Sequence, residues 1–242
     1  LNPRLERLHS YPFQRLSALL AGSTPPEGRK IVSLHIGEPK HPTPNFIRET
    51  LINSLDGLSV YPATLGTDAL RQSIAGWIGR RYGIPVPDAA TQVLPVNGSR
   101  EALFSFAQAV IDPTKPAPVV VCPNPFYQIY EGAALLSGAE PYYVPSDPAR
   151  NFANDWDSVP AEVWARTQLL FVCSPGNPTG AVMPMSEWES LFKLSDRHGF
   201  VIASDECYSE IYFRDEAPLG GLEAAHRLGR TSFKNLVAFT SL

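Results

Sequence analysis

Short apolar runs alternate with segments of helical periodicity along most of this chain, and that alternation limits the folds it can adopt. Residues 119–122, 168–173 and 200–204 are almost wholly apolar, which is typical of strands covered on both faces. In Asp68–Tyr82 the apolar residues instead recur at helical spacing. Strands and helices that alternate in this way form a sheet with helices on both faces. We therefore predict an α/β fold with a mostly parallel sheet.

The same patterns predict the other elements. Further helices are expected in residues 13–21, 45–55, 103–111 and 127–136 and from Ser186 onward, and further strands in residues 93–96, 140–144 and 236–239. A polar loop is expected in residues 146–157. Prolines and glycines are frequent in the first 45 residues, so we expect an extended arm with one short helix there.

Polar side chains follow two of the predicted strands directly. Asn177 lies in a Pro-Gly-Asn-Pro-Thr-Gly turn after residues 168–173, and Asp205 and Tyr208 follow residues 200–204. In open parallel sheets, ligands bind outside the carboxyl ends of the strands. A buried carboxylate needs a positive partner, and a protonated pyridine ring is one candidate. The amide and the phenol would then bind a phenolic oxygen on that ring.

Each of these residues also has a more common role. Asp205 alone is better explained as a helix cap or a salt-bridge partner. Asn177 could be an ordinary loop residue, and Tyr208 could be a core aromatic. The coincidence of all three after neighbouring strands favours the pyridine site.

Two further segments fit a phosphorylated heteroaromatic ligand. Ser99 and Arg100 follow Gly98 at the start of a predicted helix, where exposed N–H groups bind phosphate, although Asn-Gly is also a hairpin turn signal. Tyr127 follows the strand at residues 119–122 and could lie flat on a ring, although core packing is the more common role of such an aromatic.

Composition excludes several classes of function. A net charge of -4 argues against a general nucleic-acid surface, because phosphate binding needs clustered Lys and Arg. No apolar stretch approaches the roughly 20 residues that cross a bilayer, so no membrane partner is expected. The three cysteines lie in or beside predicted strands, which indicates reduced thiols and a cytoplasmic location. The histidines and cysteines have no metal-ligand spacing, so no metal is expected.

With these motifs in hand, the chain resembles the class I/II aminotransferases, which are pyridoxal-phosphate enzymes of fold type I. The resemblance rests on Gly37-Glu38-Pro39, Gly98-Ser99-Arg100-Glu101-Ala102, Pro125-Phe126-Tyr127, the Ser-Pro-Gly-Asn-Pro-Thr-Gly run at 174–180 and Asp205-Glu206-Cys207-Tyr208. More narrowly, residues 124–130 and 204–213 resemble the bacterial N-succinyldiaminopimelate aminotransferases.

The resemblance implies a role for each matching residue. Asp205 would pair with the pyridine nitrogen of pyridoxal 5′-phosphate, and Asn177 and Tyr208 would bind its phenolic oxygen. Tyr127 would stack on the ring. The phosphate would be bound by Ser99, Arg100 and Ser241 of the same chain and by Tyr61 of the other subunit of a dimer. The backbone of Gly37 would lie near the substrate carboxylate. Ser241 would begin an S-x-x-K motif, which places the Schiff-base lysine just beyond Leu242.

The resemblance also implies a domain organisation and an activity. Residues 1–44 would form an N-terminal arm and part of a small domain, and residues 45–242 a large coenzyme-binding domain that is incomplete at its C-terminus. The expected reaction moves an amino group between glutamate/2-oxoglutarate and N-succinyl-LL-2,6-diaminopimelate in lysine biosynthesis, in a homodimer with shared active sites. There are two alternatives. One is a pyridoxal-phosphate-dependent C–S β-lyase, and the other is a non-catalytic fragment or regulatory domain on the same scaffold.

Overall fold

The computed structural model describes residues 1–34, 36–37 and 40–241. His35, Glu38, Pro39 and Leu242 lie outside the described residues, so part of the Gly37-Glu38-Pro39 motif does too. The chain divides into two compact units: a larger one comprising Leu1–Arg7 and Leu65–Leu242, and a smaller one comprising Leu8–Thr64. The domain division at 44/45 stays a prediction, since these units divide at 64/65.

One six-stranded sheet forms the centre of the larger unit. Its strands lie in the order β3-β2-β1-β4-β5-β6. Their bounds are β1 Val119–Asn124, β2 Glu140–Asp147, β3 Ala153–Asn154, β4 Thr167–Cys173, β5 Val201–Asp205 and β6 Leu236–Phe239. The short β3 pairs antiparallel with β2, and the other neighbouring strands are parallel. The prediction of a mostly parallel sheet is therefore confirmed.

Helices cover both faces of this sheet. The larger unit contains α3 Asp68–Tyr82, α4 Ser99–Val110, α5 Gln128–Ser137, α6 Ala161–Arg166, α7 Met185–His198 and α8 Gly221–Arg227, after α1 Pro12–Leu20 and α2 Asn45–Asn53 of the smaller unit. Successive strand residues point to opposite faces. Val120 and Phe171 accordingly pack with residues of α4 and α5, whereas Val121 and Leu170 pack with residues of α6, α7 and α8.

The predicted strand at residues 93–96 is wrong. These residues lie outside all helices and strands, and Leu94 and Val96 are exposed. An apolar run becomes a strand only where a neighbour can pair with it, and Pro95 lacks one of the N–H groups that pairing needs. The predicted polar loop at 146–157 is also more ordered than expected, because it contains the end of β2, the whole of β3 and two short 3-10 turns.

The smaller unit has little core of its own. Its helices α1 and α2 contain no buried residue, and none of the described side chains from 8 to 64 is buried. Several large apolar side chains on or near α2 are exposed, among them Phe46, Leu51 and Ile52.

Across the residues that the structure describes, every helix is too short or too polar to cross a lipid bilayer.

Candidate functional site

The candidate site lies at the carboxyl edge of the sheet. Cys173, Asp205 and Phe239, which lie at or near the ends of β4, β5 and β6, are in register across this edge. The loop after β4 carries Asn177, and the turn after β5 carries Tyr208. Parallel strands thus bring these predicted site residues to one edge, as the sequence indicates.

Asp205 is buried at this edge, with 5% of its surface exposed. The Tyr130 hydroxyl donates to its Oδ2 at 2.6 Å, and the backbone N–H of Cys207 donates to its Oδ1 at 3.3 Å. Among the described residues, no Lys or Arg forms an ion pair with Asp205. The salt-bridge alternative therefore fails within this part of the chain. A buried carboxyl group held by neutral donors suits a cationic ligand.

Tyr130 is a site residue that the sequence reasoning missed. Its side chain is fully buried, and its ring stacks on Phe171 with centroids 4.6 Å apart. The rings of Tyr130 and Tyr127 also form an edge-to-face pair, with centroids 5.9 Å apart. The available signal was its spacing from Tyr127, because residues three apart on a helix are neighbours. Tyr130 thus links the predicted stacking residue to Asp205.

Asn177 and Tyr208 converge as predicted. The amide Nδ2 of Asn177 donates to the Tyr208 hydroxyl oxygen at 3.3 Å. Burial, together with the nearby Asp205 carboxylate, raises the pKa of Tyr208, so its phenol stays protonated at neutral pH. The Tyr208 O–H and the second Asn177 N–H can therefore donate to one ligand oxygen.

Helix α4 begins at Ser99, which rules out the hairpin alternative for Asn97-Gly98. Gly98 is the N-cap residue with φ 135°, a backbone conformation that favours glycine. The Arg100 Nε donates to the Tyr127 hydroxyl at 2.8 Å. Arg100 and Tyr127 are thereby connected, through Tyr130, to Asp205.

Burial keeps the two thiols beside Asp205 protonated. Burial, then the charge of Asp205, raise the pKa of Cys173 and of Cys207 to about 12. The thiolate is the reactive form of cysteine, and at neutral pH both groups are thiols. Neither thiol is therefore a candidate nucleophile at neutral pH.

A cleft of about 270 Å³ adjoins the Asn177 side of the site. It is lined by Cys173 and Asn177, by residues of the segment 146–154 and by Met183. Small-molecule sites are concave spaces of this kind with a few polar groups. The cleft provides space for a small ligand next to the residues that converge on Asp205.

Three further site residues were predicted from the resemblance: Ser241, Tyr61 and Gly37. Ser241 is exposed and lies two residues beyond the end of β6. Tyr61 and Gly37 are exposed residues of the smaller unit. Their roles stay predictions.

Comparison with known proteins identifies the family. Residues 29–236 match the sequence model of the family described as aminotransferase class I and II. An LL-diaminopimelate aminotransferase of Dehalococcoides mccartyi is 33% identical over 227 residues, which are 93% of this chain and 57% of that protein. A protein of the same name from Nitratidesulfovibrio vulgaris is 34% identical over 226 residues, which are 92% of this chain and 57% of that protein.

Comparison with solved structures points to the same family. An aminotransferase from Neisseria meningitidis superposes with a TM-score of 0.95 at 53% identity, over all of this chain and 61% of the other. The aminotransferase AspB from Helicobacter pylori gives a TM-score of 0.89 at 36% identity, over 97% of this chain and 60% of the other. The chain thus spans about three fifths of the length of these proteins. It has the predicted fold type I, and it belongs to the pyridoxal-phosphate-dependent class I and II aminotransferases.

Proposed function

We propose that the larger unit holds pyridoxal 5′-phosphate, the coenzyme of this family, at the carboxyl edge of its sheet. The observation that carries this proposal is the environment of Asp205: the carboxyl group is buried, its donors are neutral, and no described Lys or Arg neutralises it. A protonated pyridine nitrogen is the cation that this environment accepts. The residues present therefore fit the coenzyme.

The other contacts of the coenzyme follow from the same cluster. Asn177 and Tyr208 would bind the phenolic oxygen, and Tyr127 would cover the ring. Ser99 and Arg100, at the start of α4, would bind the phosphate together with the N–H groups of that helix end. Ser241 and the Tyr61 of a second subunit are proposed as further phosphate contacts, and the Gly37 backbone as a contact of the substrate carboxylate.

The chemistry divides between the coenzyme and the protein. When bound, the coenzyme supplies an electron sink that permits exchange of an amino group for a keto group. Asp205 keeps the proton on the pyridine nitrogen, and the donors of Asn177 and Tyr208 stabilise negative charge on the phenolic oxygen. The Tyr127 ring excludes water from one face. The resemblance implies that the substrate proton would be carried by the lysine of an S-x-x-K motif whose first residue would be Ser241.

For the whole protein we propose transamination between glutamate/2-oxoglutarate and a substrate with a diaminopimelate skeleton. The relatives named LL-diaminopimelate aminotransferase support that skeleton. The narrower motif resemblance favours the N-succinylated form, N-succinyl-LL-2,6-diaminopimelate. Both forms place an amino group beside a carboxylate, which is the reacting unit.

We further propose a cytoplasmic homodimer. The described side chains from 8 to 64 include many exposed apolar groups and no buried one, so this segment needs a surface to cover it. A second copy of the chain would provide that surface and would place Tyr61 at the neighbouring site. Reduced thiols at Cys122, Cys173 and Cys207 fit the cytoplasm.

Calorimetric titration with pyridoxamine 5′-phosphate tests the coenzyme site. This amine form has no aldehyde, so it binds without a covalent bond to lysine. We expect one site per chain, and affinity about 10- to 100-fold above that for pyridoxamine, which lacks the phosphate and its charge-assisted hydrogen bonds. Equal affinity for the two ligands, or no binding to the folded protein, would contradict the proposal.

The substrate is tested on protein expressed from its complete reading frame. Glutamate formation from 2-oxoglutarate is measured with N-succinyl-LL-2,6-diaminopimelate, with LL-diaminopimelate and with aspartate as donors. The fastest transfer from the succinylated donor would support the proposal. The fastest transfer from LL-diaminopimelate or from aspartate would identify that compound as the substrate instead. Pyruvate release from cystathionine without amino transfer would instead establish the C–S β-lyase.

Replacing Tyr130 with phenylalanine tests how Asp205 is held. The variant keeps the ring that stacks on Phe171 and loses only the hydroxyl that donates to Asp205. Without this hydroxyl the Asp205 carboxyl group can turn away from the pyridine nitrogen, so we expect a roughly tenfold or larger rise in the Kd for pyridoxamine 5′-phosphate, which corresponds to one weakened hydrogen bond to a charged group. Tyr142→Phe, at a half-buried tyrosine of β2, is the control and should leave that Kd unchanged. An unchanged Kd in Tyr130→Phe would refute the role.

A further inference from the structure

Glu206, the residue after Asp205, is buried on the opposite side of the strand. Only 1% of its surface is exposed, and its backbone N–H continues the pairing of β5 by donating to the Phe239 carbonyl oxygen at 2.8 Å. Because successive residues of an extended segment point to opposite faces, Asp205 contacts Tyr130 of α5 whereas Glu206 faces α3 and α8. A carboxyl group this deep is costly unless its oxygens are satisfied.

Three hydrogen-bond donors, each from a different element, satisfy the oxygens of the Glu206 carboxyl group. The Tyr82 hydroxyl at the end of α3 donates to Oε2 at 2.6 Å. The Ser204 hydroxyl of β5 and the backbone N–H of Gly221 at the start of α8 each donate to Oε1 at 2.8 Å. Burial raises the pKa of Glu206, and these hydrogen bonds and the charge of Arg81 oppose that rise. We call Glu206, Tyr82, Ser204 and Gly221 the Glu206 cluster.

The close approach of α8 depends on two glycines. A Cβ at Gly220 would lie 2.4 Å from Tyr82 Cε1 and 2.6 Å from Glu206 Oε2. A Cβ at Gly221 would lie 2.8 Å from the ring of Trp188. Larger residues at either position would push the helix away from Glu206, so the local sequence is shaped to this contact.

Arg81, next to Tyr82 on α3, holds the following turn. Its Nη2 donates to the carbonyl oxygens of Ser209 at 3.0 Å and Pro218 at 3.2 Å, and its Nε pairs with Glu210. The Ser209 N–H in turn donates to the Glu206 carbonyl oxygen at 3.0 Å. The turn at 205–209, which carries both Asp205 and Tyr208, is therefore fixed by two neighbouring residues of α3.

We propose that the Glu206 cluster positions Asp205 and Tyr208 for the coenzyme ring. Glu206 contacts no ligand in this proposal and acts through the turn that it anchors. The inference rests on the proposed coenzyme site. Weakening the cluster loosens the turn, so ring recognition is lost in addition to stability.

A matched pair of buried serines tests this. Ser204→Ala removes the hydroxyl that donates to Glu206, and Ser195→Ala removes a hydroxyl that donates to the Phe200 carbonyl oxygen at 2.7 Å, just before β5 begins. Both serines are buried, so we expect similar decreases in the free energy of unfolding. Only Ser204→Ala should raise the Kd for pyridoxamine 5′-phosphate, by about tenfold, and shift the absorption band of the bound ring toward that of the unprotonated form.

Tyr82→Phe provides a second variant, since it removes a different donor to the same carboxyl group and should give the same rise in Kd and the same shift in absorption. Unchanged Kd and spectrum in Ser204→Ala and Tyr82→Phe, or an equal change in Ser195→Ala, would reduce the cluster to a structural role and overturn the inference. Failure of the wild-type protein to bind pyridoxamine 5′-phosphate is a different result, which overturns the proposed coenzyme site and this inference together.

Discussion

Replacing Asp205 with alanine is expected to weaken binding of pyridoxamine 5′-phosphate about 100-fold, because it removes a charge-assisted hydrogen bond of roughly 1.5–3 kcal/mol. The side chain lies in a buried position, so water replaces the lost contact poorly. Transamination by the whole protein should fall further, since the pyridine ring withdraws electrons well only while its nitrogen is protonated. Calorimetry measures the first effect, and glutamate formation measures the second.

Two other variants make this result specific. Asp205→Asn keeps the shape of the side chain and removes its charge, so it should lose nearly as much affinity as alanine. Asp196→Ala removes an aspartate that is paired with Arg230 at 2.6 Å, close to the start of β5, and should bind the coenzyme like wild type. Wild-type affinity in Asp205→Ala would mean that the buried carboxyl group does not face the ring.

The strands of this fold were predictable because of their surroundings. β1, β4 and β5 are covered on both faces, so their sequences are mostly apolar, and the predicted bounds differ from the observed ones by one or two residues. The run at 93–96 has the same local pattern and no paired neighbour in the described part of the chain. Pairing is a property of the whole sheet, which a short apolar window does not contain. The two-residue β3 was missed for the same reason.

The site was predictable as far as it follows strand ends. Asn177, Asp205 and Tyr208 each come soon after an apolar strand, and parallel strands necessarily bring such residues to one edge. The residues that support them were not predictable in this way. Tyr130 reaches Asp205 across 75 positions of sequence, and Tyr82 reaches Glu206 across 124. Both tyrosines lie on helices whose apolar periodicity explains them equally well as core residues.

The core beneath the site can be tested by one matched pair of phenylalanines. Phe171 of β4 is fully buried and stacks on Tyr130, whereas Phe213, in the loop after the turn at 205–209, is fully exposed. Truncating a buried phenylalanine costs about 3–5 kcal/mol through lost transfer energy and the cavity left behind. Truncating an exposed one usually changes stability by less than about 0.5 kcal/mol.

We therefore expect Phe171→Ala to lower the free energy of unfolding in urea by about 3–5 kcal/mol, a large share of the 5–15 kcal/mol that stabilises a typical domain. Phe213→Ala, which removes the same atoms, should remain within about 0.5 kcal/mol of wild type. Phe171→Ala should also weaken binding of pyridoxamine 5′-phosphate under conditions where the variant is folded, because Tyr130 loses the ring that holds its hydroxyl against Asp205. Equal stabilities of the two variants would show that Phe171 is not part of a packed core, and wild-type affinity in folded Phe171→Ala would show that Tyr130 is held at Asp205 without it.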